Sequence, residues 1–135
     1  MSCNLSIAIL DDHPLVNFAT KHMFKSCSSS LNVITYQNPE KFITDLKNDH
    51  IEVPSVILCD YDMPEMTGLE VHDSLKELLK KHSHFPKFYL VSSEENLESH
   101  ALDFKSDFFC GSYQKPLQPN NAEEIFNSSL VNVAS

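Results

Sequence analysis

Val56-Ile57-Leu58-Cys59 runs directly into Asp60-Tyr61-Asp62-Met63-Pro64. Four consecutive apolar residues leave no polar face, so a strand formed here must be covered on both sides, which is the environment of a strand inside a parallel sheet. The abrupt change to acidic residues marks the end where that strand meets solvent. Ile7-Ala8-Ile9-Leu10, Val33-Ile34 and Phe88-Tyr89-Leu90-Val91 are runs of the same kind, and Gly111-Ser112-Tyr113-Gln114 is a weaker one.

Segments with helical spacing separate these runs. Leu15, Phe18, Ala19 and Met23 form the apolar face of a first helix, with Pro14 in its first turn. Asn38-Pro39-Glu40 reads as a cap followed by proline at the first helical position, and Phe42 and Leu46 supply an i, i+4 pair. Val71, Leu75, Leu78 and Leu79 mark a third helix that ends in Lys80-Lys81, and Leu97, Ala101 and Phe104 mark a fourth. Asn121-Ala122-Glu123-Glu124 resembles a capping box that opens a fifth helix backed by Ile125, Phe126 and Leu130. Five strand-then-helix repeats with short links predict right-handed crossovers and an α/β three-layer sandwich.

A chain of 135 residues suits one domain, and the expectation is a single unit over residues 1–135 with no output domain. Acidic residues number 19 against 10 basic ones, all of them lysine, for a net charge of -9. That balance, with no guanidinium available, argues against nucleic acid and against an anionic membrane surface. No apolar run approaches the roughly 20 residues needed to cross a bilayer, and Met1–Leu10 lacks the features of a signal peptide. Cys3, Cys27, Cys59 and Cys110 are widely spaced without a C-x-x-C pair, so reduced thiols and a cytoplasmic location are expected.

In an open parallel sheet, ligands bind outside the carboxyl ends of the strands. After the first run comes Asp11-Asp12, after the third Asp60-Tyr61-Asp62, after the fourth Ser92-Ser93 and after the fifth Lys115-Pro116. Carboxylates gathered at one edge repel each other by on the order of 1–4 kcal/mol per close pair, depending on the effective dielectric. A divalent cation removes that conflict, and hard oxygen ligands select Mg²⁺. An ammonium group and a hydroxyl beside it complete the inventory of a phosphoryl-transfer site.

These residues carry a resemblance. Asp11-Asp12, Asp60-x-Asp62-Met63-Pro64-x-Met66-x-Gly68-Leu69-Glu70, a hydroxyl after the fourth strand and Lys115-Pro116 resemble the receiver domain of two-component response regulators, in order and over nearly the whole chain. Leu10-Asp11-Asp12-His13-Pro14-Leu15-Val16 is similar to receivers of the NarL/FixJ group. The resemblance implies a flavodoxin-like fold with a five-stranded parallel sheet in the order 2-1-3-4-5. It implies that Asp60 accepts a phosphoryl group from a sensor histidine kinase or histidine phosphotransfer protein, switching the binding of a downstream protein. Asp12, Asp60 and the backbone carbonyl of Asp62 then hold Mg²⁺, with Asp11 helping directly or through water. Lys115 neutralises the phosphate and Ser92 moves to hydrogen-bond it. No catalysis is expected beyond gain and loss of the module's own phosphoryl group.

Two departures accompany the resemblance. Receivers often carry an aromatic three positions before the lysine, where this chain has Ser112; Tyr113 beside it points to the opposite face of a strand. Ser106-Asp107-Phe108-Phe109-Cys110 stands where a Gly-Ala pair is common, with Phe108-Phe109 expected to fill core. The first departure gives weight to an adaptor or phosphate sink that works without switching. Asp60-Tyr61-Asp62 also fits the D-x-D of haloacid-dehalogenase-type phosphatases, although that motif follows the first core strand there. Cys59 reads as a small buried residue. His13, His72, His82, His84 and His100 show no metal constellation and are expected on the solvated surface.

Overall fold

Every residue of strand β3 (Val56–Asp60) is buried, as an apolar run without alternation demands. The computed structural model describes residues 5–81, 84–93 and 100–134. Beside β3 stand β1 (Ser6–Leu10), β2 (Asn32–Tyr36), β4 (Lys87–Ser92) and β5 (Phe109–Gln114). All pair in parallel, in the expected order β2-β1-β3-β4-β5. The two edge strands had the weakest apolar runs because an edge needs less cover: β2 exposes Asn32 and Thr35, and every residue of β5 keeps some access to solvent.

Helices α1 (Pro14–Cys27), α2 (Pro39–Lys47), α3 (Gly68–Leu78) and α4 (Pro119–Ala134) cover the sheet. None of the described helices is long and apolar enough to cross a membrane. Strand alternation sorts the core into two layers. Ala8, Leu10, Ile57, Cys59, Phe88 and Leu90 pack with Phe42 of α2 and Val71 and Leu75 of α3. Ile7, Ile9, Val56, Leu58, Tyr89 and Val91 pack with Phe24 of α1 and Ala122 and Ile125 of α4. The expected cap of α2 is present, the Asn38 side chain accepting from the Glu40 N–H at 2.8 Å.

Some expectations need correction. On α1, Leu15 is 81% and Phe18 73% exposed, while Asn17, Thr20 and Phe24 face inward. Polar residues occupy the first inward positions because α1 starts beside open strand ends: Asn17 Nδ2 donates to the Asp11 carbonyl at 2.8 Å and to that of Tyr36 at 3.3 Å. A leucine there would remove the donor to the Asp11 carbonyl, while the Tyr36 carbonyl would keep only the Asp11 N–H. The C-terminal helix begins at Pro119, not after Asn121; the Asn121 side chain accepts from the Gln118 N–H at 2.9 Å, one turn further in.

His72 is fully buried. It stacks on Phe108 at 4.8 Å between centroids, with Phe104 at 5.0 Å and Phe88 at 5.4 Å edge-on. Its two nitrogens make this tolerable. Nδ1 donates to Asp73 Oδ1 at 2.9 Å, and Nε2 accepts from the Ser106 hydroxyl at 2.7 Å, whose oxygen takes the Phe109 N–H at 3.2 Å. Burial pulls its pKa down and favours the neutral ring. Phe108 fills core as expected, and the segment before β5 is organised around a histidine that the sequence placed in solvent. His100 is also partly covered, stacked on Tyr61 at 4.2 Å. His82, Leu97 and Cys3 lie outside the described residues; Ala101 and Phe104 close a turn in which Phe104 N–H donates to the Ala101 carbonyl at 3.1 Å.

Candidate functional site

Asp11 follows β1, Asp60 ends β3 and Lys115 follows β5, and all three meet at the carboxyl edge of the sheet. Lys115 Nζ lies 2.8 Å from Asp11 Oδ2 and 3.1 Å from Asp60 Oδ2. Both carboxylates are nearly inaccessible, at 3% and 4% exposure. Three backbone bonds hold the frame: Asp11 N–H donates to the Tyr36 carbonyl at 3.1 Å, Tyr61 N–H to Val91 at 3.0 Å and Lys115 N–H to Ser92 at 2.9 Å.

The charges do not cancel locally. Burial and then the charge of Asp11 push Asp60 up to about 6, against opposing pulls from Lys115 and the Asp62 N–H, which reaches Asp60 Oδ1 at 3.4 Å. For Lys115, burial lowers the pKa, but the bond to Asp11 and the charge of Asp60 outweigh it and the net direction is upward. The lysine stays charged, and the pocket remains short of positive charge. Asp12 is half-buried, and its Oδ1 has no hydrogen-bond partner among the described residues. It lies 3.3 Å from His13 Nδ1, close enough for an ion pair but outside hydrogen-bond geometry. An orphaned carboxylate oxygen beside two buried carboxylates suits a divalent cation, and the donor set fits Mg²⁺.

One ligand atom from each of Asp11, Asp12, His13 and Asp60 can be chosen so that all lie within 4.8 Å of one another. This corrects the expectation for His13, which stands on the surface but belongs to the cluster. Its position directly after Asp11-Asp12 was the available signal. Ser92 ends β4 fully buried, and Ser93 beside it is exposed. The side chain of Asp62 is exposed and stands apart from the acidic cluster, whereas its N–H turns inward.

Gly68 opens α3 directly against the acidic loop. A Cβ there would lie 2.9 Å from the Asp60 carbonyl oxygen and 3.0 Å from Leu90 Cδ1. Gly68 N–H donates to the Tyr61 carbonyl at 2.8 Å, and a Thr67–Glu70 capping box fixes the helix start. A cavity of about 400 Å³ opens beside the site, bordered by Asp11, Val16, Asp60, Ser93, Lys115 and Leu117. Cys59 is buried with its thiol pKa pushed well up by burial, and it packs as a small core residue.

Residues 7–126 match the family model described as response regulator receiver domain. The chain belongs to this family. It is a receiver domain of two-component signalling, a signalling module by fold. The transcriptional activator protein ExaE of Pseudomonas putida is 25% identical over 115 residues, covering 85% of this chain and 50% of that protein. Histidine kinase P4 of Formosa agariphila is 32% identical over 110 residues, covering 77% of this chain and 8% of that protein. The chain thus spans half the length of one of these relatives and a small part of the other. The structure of chemotaxis response regulator CheY4 of Vibrio cholerae superposes with a TM-score of 0.74 at 18% identity, covering 94% of this chain and 99% of that one.

The departures at β5 have a structural form in this receiver. Tyr113 packs toward α4, its ring 6.0 Å from that of Tyr89 and its hydroxyl donating to Glu124 Oε1 at 3.3 Å. It faces away from the layer that holds His72 and Phe108 and therefore does not replace the aromatic absent at Ser112. The D-x-D stretch follows the third strand of a receiver fold, and no observation favours the phosphatase reading.

Proposed function

We propose that Asp60 is the phosphoacceptor of this receiver and that the donor is a phosphohistidine of a sensor histidine kinase or histidine phosphotransfer protein in the cytoplasm. The convergence of Asp11, Asp12 and Asp60 on Lys115 at one sheet edge carries the reading. A carboxylate oxygen of Asp60 attacks phosphorus; the P–N bond breaks, and the imidazole leaves with the bonding pair and takes up a proton. Lys115 neutralises charge on the transferred group, and the Ser92 hydroxyl turns to donate to one of its oxygens. Asp12, Asp60 and the backbone carbonyl of Asp62 would hold Mg²⁺, with Asp11 helping directly or through water. When bound, the cation supplies charge that offsets the carboxylates and the developing phosphoryl charge. The reorientation of Ser92 biases the loop after β4 and thereby the binding of a downstream protein. The only chemistry expected is gain and loss of the module's own phosphoryl group.

Incubation with acetyl phosphate or phosphoramidate and Mg²⁺, followed by intact-mass measurement, tests this. One phosphoryl group is expected per chain, absent without Mg²⁺ and absent in Asp60→Ala. Labelling that survives Asp60→Ala unchanged refutes the assignment.

A further inference from the structure

His13 is the one nitrogen donor in an otherwise all-oxygen cluster. It caps the start of α1 without a side-chain capping bond, and its ring is 66% exposed. Helix capping therefore does not explain where the ring points. It reaches back over its own backbone to the acids: Nδ1 donates to Asp11 Oδ1 at 3.2 Å and lies 3.3 Å from the orphaned Asp12 Oδ1. The His13 N–H donates to the same Asp11 oxygen at 2.9 Å, so residue 13 is tied to the cluster twice. Proline follows at position 14 and holds the His13 backbone extended, as observed at φ -98° and ψ 112°.

We infer that His13 is a direct ligand of the cation held by Asp12 and Asp60, and that it moves the site's metal preference from Mg²⁺ toward Mn²⁺ and other first-row transition ions. This rests on the reading of the acidic cluster as a metal site. The chemistry follows from donor type. Mg²⁺ takes hard oxygen ligands and gains little from imidazole, whereas first-row transition ions bind imidazole well and rise in affinity along the Irving–Williams order. Neutral imidazole carries its proton on either nitrogen. The ring donates from Nδ1 to Asp11, and the opposite tautomer turns the Nδ1 lone pair toward the same carboxylates. Lys115 contacts Asp11 and Asp60 through their Oδ2 atoms, and His13 approaches Asp11 through Oδ1, so the two nitrogen groups use different oxygens of Asp11.

Mn²⁺ bound to the full chain, read by electron spin-echo envelope modulation, tests this without any phosphorylation. Nitrogen modulation is expected in the wild type, changed in frequency by ¹⁵N-labelled histidine and lost in His13→Ala and His13→Asn. Asparagine is itself a good N-cap, which guards against loss of the helix start. His22→Ala is expected to keep the modulation. Partners one step removed from a metal are already worth roughly 10–100-fold in affinity, so both His13 variants should weaken Mn²⁺ at least about tenfold. By donor type, Mg²⁺, measured by competition, should change by less than about threefold. Mn²⁺ that binds through Asp12 and Asp60 without nitrogen modulation, or with modulation that survives His13→Ala, overturns the role of His13 and leaves the metal site standing. Mn²⁺ that does not bind, or binds equally to Asp12→Ala, overturns the metal site and this inference with it.

Discussion

Replacing Asp60 by asparagine should stabilise the protein, although it removes half of an ion-paired constellation. The carboxyl group sits at about 6 in the folded chain against 3.8 when free in solution. Between those values the folded state holds a proton that the unfolded state has released. Stability therefore falls as pH rises from about 4 to above 6, the opposite of an acid held by a salt bridge. Two pKa units at 1.36 kcal/mol each set an upper bound of about 3 kcal/mol on the strain carried at pH 7.5. The pull of Lys115 is already included in that shift, and the amide of asparagine pairs less well with Lys115. The expected gain is about 1–3 kcal/mol at pH 7.5, shrinking toward zero near pH 4, where both chains carry a neutral side chain. Urea unfolding of wild type and Asp60→Asn at pH 4, 5.5 and 7.5 measures it. On the proposed Mg²⁺ site, added magnesium is expected to narrow the gap, because a ligand bound only to the folded wild type adds about 2.7 kcal/mol at one hundred times its dissociation constant. An asparagine variant less stable than wild type at pH 7.5, or a difference that ignores pH, refutes the picture of a charge-frustrated pocket.

Gly68→Ala places a Cβ 2.9 Å from the Asp60 carbonyl oxygen; an overpacking cost of about 1–3 kcal/mol is expected in urea unfolding. Phe18→Ala should change stability by less than about 0.5 kcal/mol, as for an exposed side chain; a loss of about 3 kcal/mol or more would return Phe18 to the core. His72→Leu tests the buried imidazole. Because burial lowers its pKa, the folded chain takes up fewer protons than the unfolded one, and wild type loses stability through this group as pH falls below about 6.5. The leucine variant should lack that component, so subtracting its pH profile from that of wild type isolates it.

The strands were legible because a parallel sheet demands cover on both faces and Val56-Ile57-Leu58-Cys59 offers no polar face, whereas their order came from the resemblance to receiver domains. The polar residues that follow the strands were legible for the same reason: apolar runs stop where solvent begins. Helix α1 was not. Its inward positions serve the strand-end carbonyls of Asp11 and Tyr36 through Asn17, a requirement set by two strands and invisible to helical periodicity. His72 was misjudged because a lone histidine on a helix says nothing about a ring of phenylalanines contributed by β4 and the segment before β5. His13 was set aside because its neighbours were judged by sequence spacing, whereas the turn folds its ring back onto them.

Register explains why the pocket contains the groups it does. Leu10 lies opposite Cys59, so Asp11 and Asp60, the next residues of each strand, come abreast on the same side of the sheet. Asp60 is opposite Val91 and Val91 opposite Tyr113, and two positions after Tyr113 stands Lys115, which alternation returns to that same side. One face thus collects two acids and their lysine without any special loop. Ser92 is one residue out of phase and belongs with Phe88 and Leu90, toward α3. Its carbonyl accepts from the Lys115 N–H at 2.9 Å, which ties the end of β4 to the residue that follows β5. On the proposed reading, a Ser92 that turns toward new charge on Asp60 does so from the opposite phase of its strand, so the period of β4 separates the switch residue from the acids and lysine it would answer to.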